Sequence, residues 1–480
     1  MRYAIILVVL AYTGKEKNMY HSVNVQVKPG TALFQWCDYN AHCANNLYNA
    51  ALFRERQMMT SSKKAIHELT DNELEVMNEV ENAKQWMTHP REVPPSGVMS
   101  YTFLNDVMRC NCNPDYYAEG FPIHCAQNIL KQVTQDLNSF FKALKKWNTA
   151  PWEFNGKPKL PEYKHKQGAT TFVSSNQECR IHQTKRGNYY CSLPKTKEIV
   201  PLGKSVPGKL IEVHISPMNG IYQISCVFDD EVETVQPSKK HERMVGVDPG
   251  VNNLFAVVNN CGLPNLIFNG RPLKSINQLY NKQIANIMSE NIKGTTDKFK
   301  VTPHYQHVTI KRNNCVKDYI LKTAKILSHW CVENRIDTIV LGKNADFKKE
   351  SNMKDTGNQN FVQIPHAALY KTIAYMGERY GIHVMEQEES YTSRASFLSR
   401  DYIPVYGVDD YKAHFSGTRT YRGLYKDKIS KRSVNADLNG AANILRKCFP
   451  NAFQKDPDFN EYQIIKHPDL VLAQTGNFQA

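Results

Sequence analysis

Met244-Val245-Gly246-Val247-Asp248-Pro249-Gly250 is a short apolar run that ends in a carboxylate and then turns. The residue types suit a buried strand, and the Pro-Gly pair swings the backbone away directly after the acid. An acid at the end of such a strand is costly to desolvate unless a cation or a partner compensates it. Two further places carry acids of the same kind. The pair Glu388-Glu389 follows the strand-like run from Ile382 to Gln387, and Asp437 stands in Asn435-Ala436-Asp437-Leu438-Asn439-Gly440. Asp437 falls in the first turn of a helix that Asn435 can cap, and the apolar Ala441 and Leu445 on its face turn it inward. Carboxylates gathered from distant segments can hold two divalent cations, the equipment of a metal-dependent nuclease.

The chain has 480 residues, enough for two or three domains, and its 41% hydrophobic content supports real cores. Lys and Arg number 60 against 46 Asp and Glu, a net charge of +14 that favours a polyanionic partner. Twelve cysteines lie scattered without CxxC knuckles, which reads as reduced thiols in an intracellular protein. Cys110, Cys112, His124 and Cys125 have poor spacing for a structural zinc site, so no zinc is expected. The run from Ala4 to Tyr12 imitates the apolar part of a signal peptide but is too short to span a bilayer, and residues 1–18 are set aside as an N-terminal extension.

Outward from the decisive stretch, periodicity divides the chain. Tyr20 to Lys28 alternates as a strand. Helices are expected from Thr31 to Arg56, from about Thr70 to Met87, from Phe103 to Arg109 and from Ile123 to Trp147. Between Pro151 and Lys204 short strands interleave Trp152, Phe154, Tyr163, Tyr189 and Tyr190 with Lys157, Lys159, Lys164, Lys166, Lys185 and Arg186. Aromatics among cations suit base stacking and phosphate pairing, although a solvated basic face reads the same way. Strands follow at Leu210 to Ile215 and Gly220 to Phe228. From Met244 on, strands and helices alternate as one α/β unit: strands at 244–248, 254–259, 338–341 and 382–387, with helices at 273–290, 304–334, 367–380 and 435–447.

Read together, GVDPGVNNLFAVV, LKSINQLYNK, NQNFVQIP with GIHVMEQEESYTSRASF, and SGTRTYRGLY with VNADLNGAANIL resemble the successive signatures of the transposon-encoded TnpB proteins, relatives of the Fanzor proteins and of type V CRISPR nucleases. NLYNAALFRERQ, NPDYYAEGFPIHCAQNILKQV and WEFNGKPKLPEYKHK extend the resemblance over most of residues 40–450. It implies an RNA-guided DNA endonuclease with a RuvC-type, RNase H-like domain, acting with guide RNA and two Mg²⁺ ions on double-stranded DNA beside a short flanking motif. The expected fold is multidomain α+β and α/β. A wedge β-barrel (19–40 and 150–240) is interrupted by a helical recognition domain (41–149). A RuvC-like domain (241–389 and 433–450) carries a target nucleic-acid-binding insertion (390–432), and a tail follows (451–480). A monomeric ribonucleoprotein is expected, with a dimer open, in the bacterial nucleoid or a nucleus and not at a membrane.

Carried over by resemblance, Asp248 is the first acid and Asp437 the third. Many relatives place the second at the end of the strand that here reads Thr338-Ile339-Val340-Leu341-Gly342, where this chain has glycine. A subset takes it from an E-x-x-T-S segment, which Glu389-Ser390-Tyr391-Thr392-Ser393 matches. Glu389 is therefore the expected second acid, with Glu388 as its rival and Asp346 as a poorer substitute. Many relatives also carry a zinc ribbon between the second and third acids, and residues 390–432 contain no cysteine. That insertion is expected to hold its shape through Phe397, Leu398, Tyr402, Phe415 and Tyr421, with Arg394, Arg419, Arg422 and Lys426 as phosphate contacts. A catalytically inert RNA-guided regulator and a guide-independent RNase H-like transposase remain as alternatives.

Overall fold

The computed structural model describes residues 19–230, 237, 240–292, 299–343, 364–421, 423–453 and 469–471. The N-terminal extension, Asp346, Arg422 and nearly all of the tail lie outside them. The described fold is multidomain α+β, in two compact units that divide at residues 231/232.

The first unit opens with β1 (Tyr20–Val27) and a long helix α1 (Ala32–Ser61), whose Thr31 cap accepts the Phe34 amide. Helix α2 (Asp71–Gln85) starts with a capping box in which Thr70 and Glu73 satisfy each other's backbone, and α3 (Tyr101–Cys110) and α4 (Ile123–Thr149) follow. Six strands come next: β2 (Phe172–Ser175), β3 (Arg180–Gln183), β4 (Tyr189–Ser192), β5 (Ile199–Gly203), β6 (Lys209–Met218) and β7 (Ile221–Asp229). They form two sheets, a four-stranded one in the order β1-β7-β6-β2 and a three-stranded one in the order β3-β4-β5. The expected closed barrel is not present among the described residues, because the edge strands β1 and β2 each pair on one side only. Helices and sheets share one apolar core, from Leu47 and Leu52 on α1 through Leu130 on α4 to Phe172 and Ile224. Of the four residues weighed for zinc, Cys125 is buried in that core, Cys112 is exposed, and Cys110 and His124 are half-buried.

The second unit is built on a six-stranded sheet in the order β12-β11-β8-β9-β10-β16. Its strands are β8 (Met244–Pro249), β9 (Asn253–Asn259), β10 (Leu266–Asn269), β11 (Thr338–Lys343), β12 (His383–Glu388) and β16 (Asp469–Val471). β9 pairs antiparallel with β8, and β11 lies parallel to β8 on its other side. Side chains alternate across the sheet. Val245, Val247, Ile339 and Leu341 enter a core with α5 (Arg271–Ile292), α6 (Pro303–Glu333) and α7 (His366–Tyr380). Met244 and Val340 enter a second core with α8 (Ala436–Cys448). The same alternation puts Gly246, Asp248 and Gly342 on the face that α8 covers. A Cβ at residue 246 would strike the Ala441 carbonyl and lie 2.8 Å from Leu445 Cβ, so glycine lets α8 seat directly on the strand.

Between β12 and α8 lies a small antiparallel sheet of β13 (Gly417–Tyr421), β14 (Leu424–Asp427) and β15 (Ser433–Asn435). Its anchoring differs from expectation. Phe397 is buried, but Tyr402 and Tyr421 are 54% and 76% exposed, and Tyr425 is buried in their stead. Two carboxylates do most of the tying. Asp427 accepts hydrogen bonds from the Ser396 and Ser399 hydroxyls and the Ser430 amide, while Asp401 accepts the Ser396 and Ser416 amides. Burial opposes ionisation of Asp427, yet these donors outweigh it and hold its carboxyl at about 2.

In the first unit Glu55 is buried on α1 and, among the described residues, accepts only the Met99 amide, at 3.0 Å. Burial, weakly opposed by that bond, pushes its carboxyl up to about 8. Because the folded value lies above the unfolded one of 4.5, its contribution to stability is complete below pH 4.5 and is lost as pH rises through about 8. Glu55→Gln should therefore melt several degrees above the parent chain beyond pH 8, with the gap closing toward pH 4.5, as followed by thermal denaturation across pH.

Candidate nuclease site

A cleft in the second unit is lined by Asp248, Asn253, Arg271, Glu389, Arg419 and Asp437, among others. Asp248 reaches it from the end of β8, where α8 crosses the sheet. A Cβ at residue 440 would collide with Asp248 Oδ2 and lie 3.0 Å from its Cγ, so Gly440 leaves the space that this carboxylate fills. Asp437 enters from the first turn of α8, whose Asn435 cap accepts the amides of Asp437 and Leu438. Its Oδ1 accepts from Arg419 Nη2 at 2.8 Å and its Oδ2 from Asn253 Nδ2 at 2.6 Å.

The two neighbouring glutamates part company just after β12. Glu388 is exposed, pairs with Lys447 Nζ at 2.6 Å and accepts the Ser390 amide at 2.5 Å. Although partial burial works the other way, Lys447 and Ser390 hold its carboxyl below the usual range. Glu389 turns in toward the sheet. Its Oε2 is buried and has no hydrogen-bond partner among the described residues. A Cβ on Gly342 would lie 3.0 Å from that oxygen and 2.5 Å from Ile444 Cδ1. Glu389 thus fills the room beside Gly342, and Ile444 leaves none for a longer side chain at 342.

Electrostatics show how crowded the cleft is. Burial raises the Asp248 carboxyl well above its usual value, repulsion from Glu389 and Asp437 adds to this, and Arg419 works against it. Burial, with repulsion from Glu388, pushes Glu389 up to about 7. An all-oxygen set with a free buried carboxylate oxygen fits a hard divalent cation. Among the described residues no three His, Cys, Asp or Glu side chains are gathered closely enough to hold a metal as they stand. Asp437 is engaged by Arg419 and Asn253 instead.

Several positioning groups went unread in the sequence. Asn439 and Asn443 are fully buried on α8 and donate to the Ala395 carbonyl, and Asn443 also to that of Thr392, which pins the loop after Glu389. Lys447 bonds the carbonyls of Ser390 and Pro404 as well as Glu388. Asn439 and Asn443 stand four residues apart inside a helix, where asparagine is unfavourable, and that spacing was the available signal.

The other expected contacts scatter. Arg419 lines the cleft but is ion-paired, and Arg394 and Lys426 are exposed on the insertion. In the first unit Lys157, Lys159, Lys166, Lys185 and Arg186 are exposed. Lys164 is not free: its ammonium lies 3.9 Å from the Tyr48 ring centre, and its backbone exchanges two hydrogen bonds with Asn49. Asn45, which bonds His165 and Thr170, fixes the same segment along α1.

Residues 227–348 match the OrfB_IS605 family, described as a probable transposase; the match includes Asp248 but neither Glu389 nor Asp437. No curated protein matches the chain in sequence. Among solved structures it is similar to Cas12f1 in a Cas12f1–sgRNA–target DNA complex, with 13% identity, a TM-score of 0.52, and coverage of 86% of this chain and 82% of that one. The mini-RNA-guided endonuclease CRISPR-Cas_phi3 is a more distant likeness, with 10% identity, a TM-score of 0.40, and coverage of 89% and 92%. Residues 227–348 are thus similar to the OrfB_IS605 family, and the fold is similar to that of Cas12f1.

Proposed function

We propose that the chain is an RNA-guided DNA endonuclease whose cleft cuts phosphodiester bonds with Asp248, Glu389 and Asp437. The observation that carries this reading is Glu389, which brings an unpartnered buried carboxylate oxygen into the space beside Gly342, in the cleft that Asp248 and Asp437 share. These three side chains would hold a pair of Mg²⁺ ions, which when bound supply an activated water and stabilise the leaving 3′ oxygen. The chain's own residues do the rest. Asp248 is set by the strand end and the gap at Gly440, Glu389 by the loop pinned to Asn439 and Asn443, and Arg271 and Arg419 put positive charge at the cleft for a phosphate backbone.

Guide RNA and target double-stranded DNA are the proposed partners of a monomeric ribonucleoprotein, with base pairing to the guide reading sequence and the protein reading backbone shape and a short flanking motif. The family description keeps a guide-independent transposase as the second reading. Sequencing the RNA that co-purifies with the chain separates them: a discrete structured RNA supports the guided nuclease, and its absence favours the transposase.

Asp248→Ala or Asp437→Ala should abolish Mg²⁺-dependent cleavage of guide-matched DNA and leave RNA binding nearly intact in filter-binding assays, since each removes a candidate metal ligand and no phosphate contact. Glu389→Gln should slow cleavage at least about a hundredfold, roughly 2.7 kcal/mol in barrier. Glu388→Gln, which loses the ion pair with Lys447 outside the cleft, should stay nearly active in the same single-turnover assay. Replacing Lys157, Lys159 and Lys166 together with glutamine should weaken nucleic-acid binding and lower the log-log salt slope by roughly one per lost phosphate contact.

A further inference from the structure

Both carboxylate oxygens of Asp437 are taken by protein donors, Arg419 at 2.8 Å and Asn253 at 2.6 Å. Asp248 and the free oxygen of Glu389 line the same cleft, so Asp437 is the acid held back from the set. Arg419 stands on β13, an edge strand, beside the register irregularity between Arg419 and Tyr421. Its side chain is 46% exposed, and the guanidinium can leave Asp437 without uncovering apolar core. A guanidinium forks onto phosphate oxygens as readily as onto a carboxylate.

We propose that Arg419 is a latch on the metal site: it holds Asp437 while the cleft is free of nucleic acid and passes to a backbone phosphate when a strand enters, releasing Asp437 to the divalent cation. The inference rests on the nuclease reading above and adds to it a coupling between strand and cation. By linkage that coupling is reciprocal, so a bound strand tightens cation binding and a bound cation tightens strand binding. Asn253 is a neutral donor and can stay near Asp437 in both states. Arg419 also works against the repulsion around Asp248, a duty that the cation takes over when the latch opens. The device keeps the cation site incomplete until substrate arrives.

The test is a Mn²⁺ titration of the full chain, read by electron paramagnetic resonance as free Mn²⁺, with and without a short single-stranded DNA whose own Mn²⁺ uptake is subtracted. The parent chain should bind Mn²⁺ more tightly with the DNA, by about three- to tenfold, the range of one partly exposed charge-assisted pair. Arg419→Gln should bind Mn²⁺ without DNA about as tightly as the parent does with it, and gain little more when DNA is added. Arg419→Lys, which keeps the charge but loses the fork, should fall between them. Equal Mn²⁺ affinity in Arg419→Gln and the parent without DNA overturns the latch, as does an equal gain from DNA in both. Mn²⁺ binding by Arg419→Gln that survives Asp248→Asn overturns the nuclease site itself, and the latch with it.

Discussion

Three carboxylates face one cleft, and the burial of Asp248 and Glu389 there, with the repulsion that Glu389 and Asp437 exert on Asp248, is the constraint around which the second unit is organised. Left unopposed, such a set would disperse or take up protons. The fold prevents dispersal by fixing each acid on a different rigid element: a strand end for Asp248, a pinned loop for Glu389, and a capped helix turn for Asp437. Protonation is the strain that remains, visible in the raised Asp248 and Glu389 carboxyls. Holding Asp248 and Glu389 in place during folding meets part of the cost of assembling ligands for a cation, while Asp437 stays bound to Arg419 and Asn253.

Two glycines make that assembly sterically possible. Gly246 lets α8 settle against β8, and Gly440 on the helix leaves the hollow that the Asp248 carboxylate fills. A third, Gly342, yields its place to Glu389. β11 and β12 are parallel neighbours in register, with Gly342 opposite Gln387 and Lys343 opposite Glu388. A carboxylate from just beyond β12 therefore reaches the space that a side chain from the end of β11 would have used.

The insertion between Glu389 and α8 shows how a segment of irregular backbone can be fixed without a metal knuckle. Buried Asp427 and half-buried Asp401 collect serine hydroxyls and backbone amides, and Asn439 and Asn443 reach out from α8 to the carbonyls of the preceding loop. Ionised acceptors bind amides and hydroxyls about twice as strongly as neutral ones do, so a few such knots can stand in for an apolar core in a small subdomain. The exposed Tyr402 and Tyr421 are thereby spared from packing.

Sequence periodicity alone located β8, β9, β11, β12 and the four helices of the second unit, because period-2 and period-3.6 patterns report which face of each element is buried, but it missed β10 and the short strands β13 to β16. The sequence also marked Asp248 and Asp437, since an acid at a strand end or in a helix's first turn is a local signal. Strand alternation could not choose between Glu388 and Glu389, and Glu389 was preferred only by resemblance: neighbouring residues differ in which way each points, and in the fold Lys447 and Ser390 capture Glu388 while the room beside Gly342 receives Glu389. The barrel failed for a related reason. Strand alternation gives each strand a buried face but not the partner that its free edge meets, and here seven strands became two open sheets. Lys164 and Arg419, read as free cations from composition, proved to be bound to Tyr48 and Asp437, because a side chain's partner across long sequence separations exists only once the chain has folded.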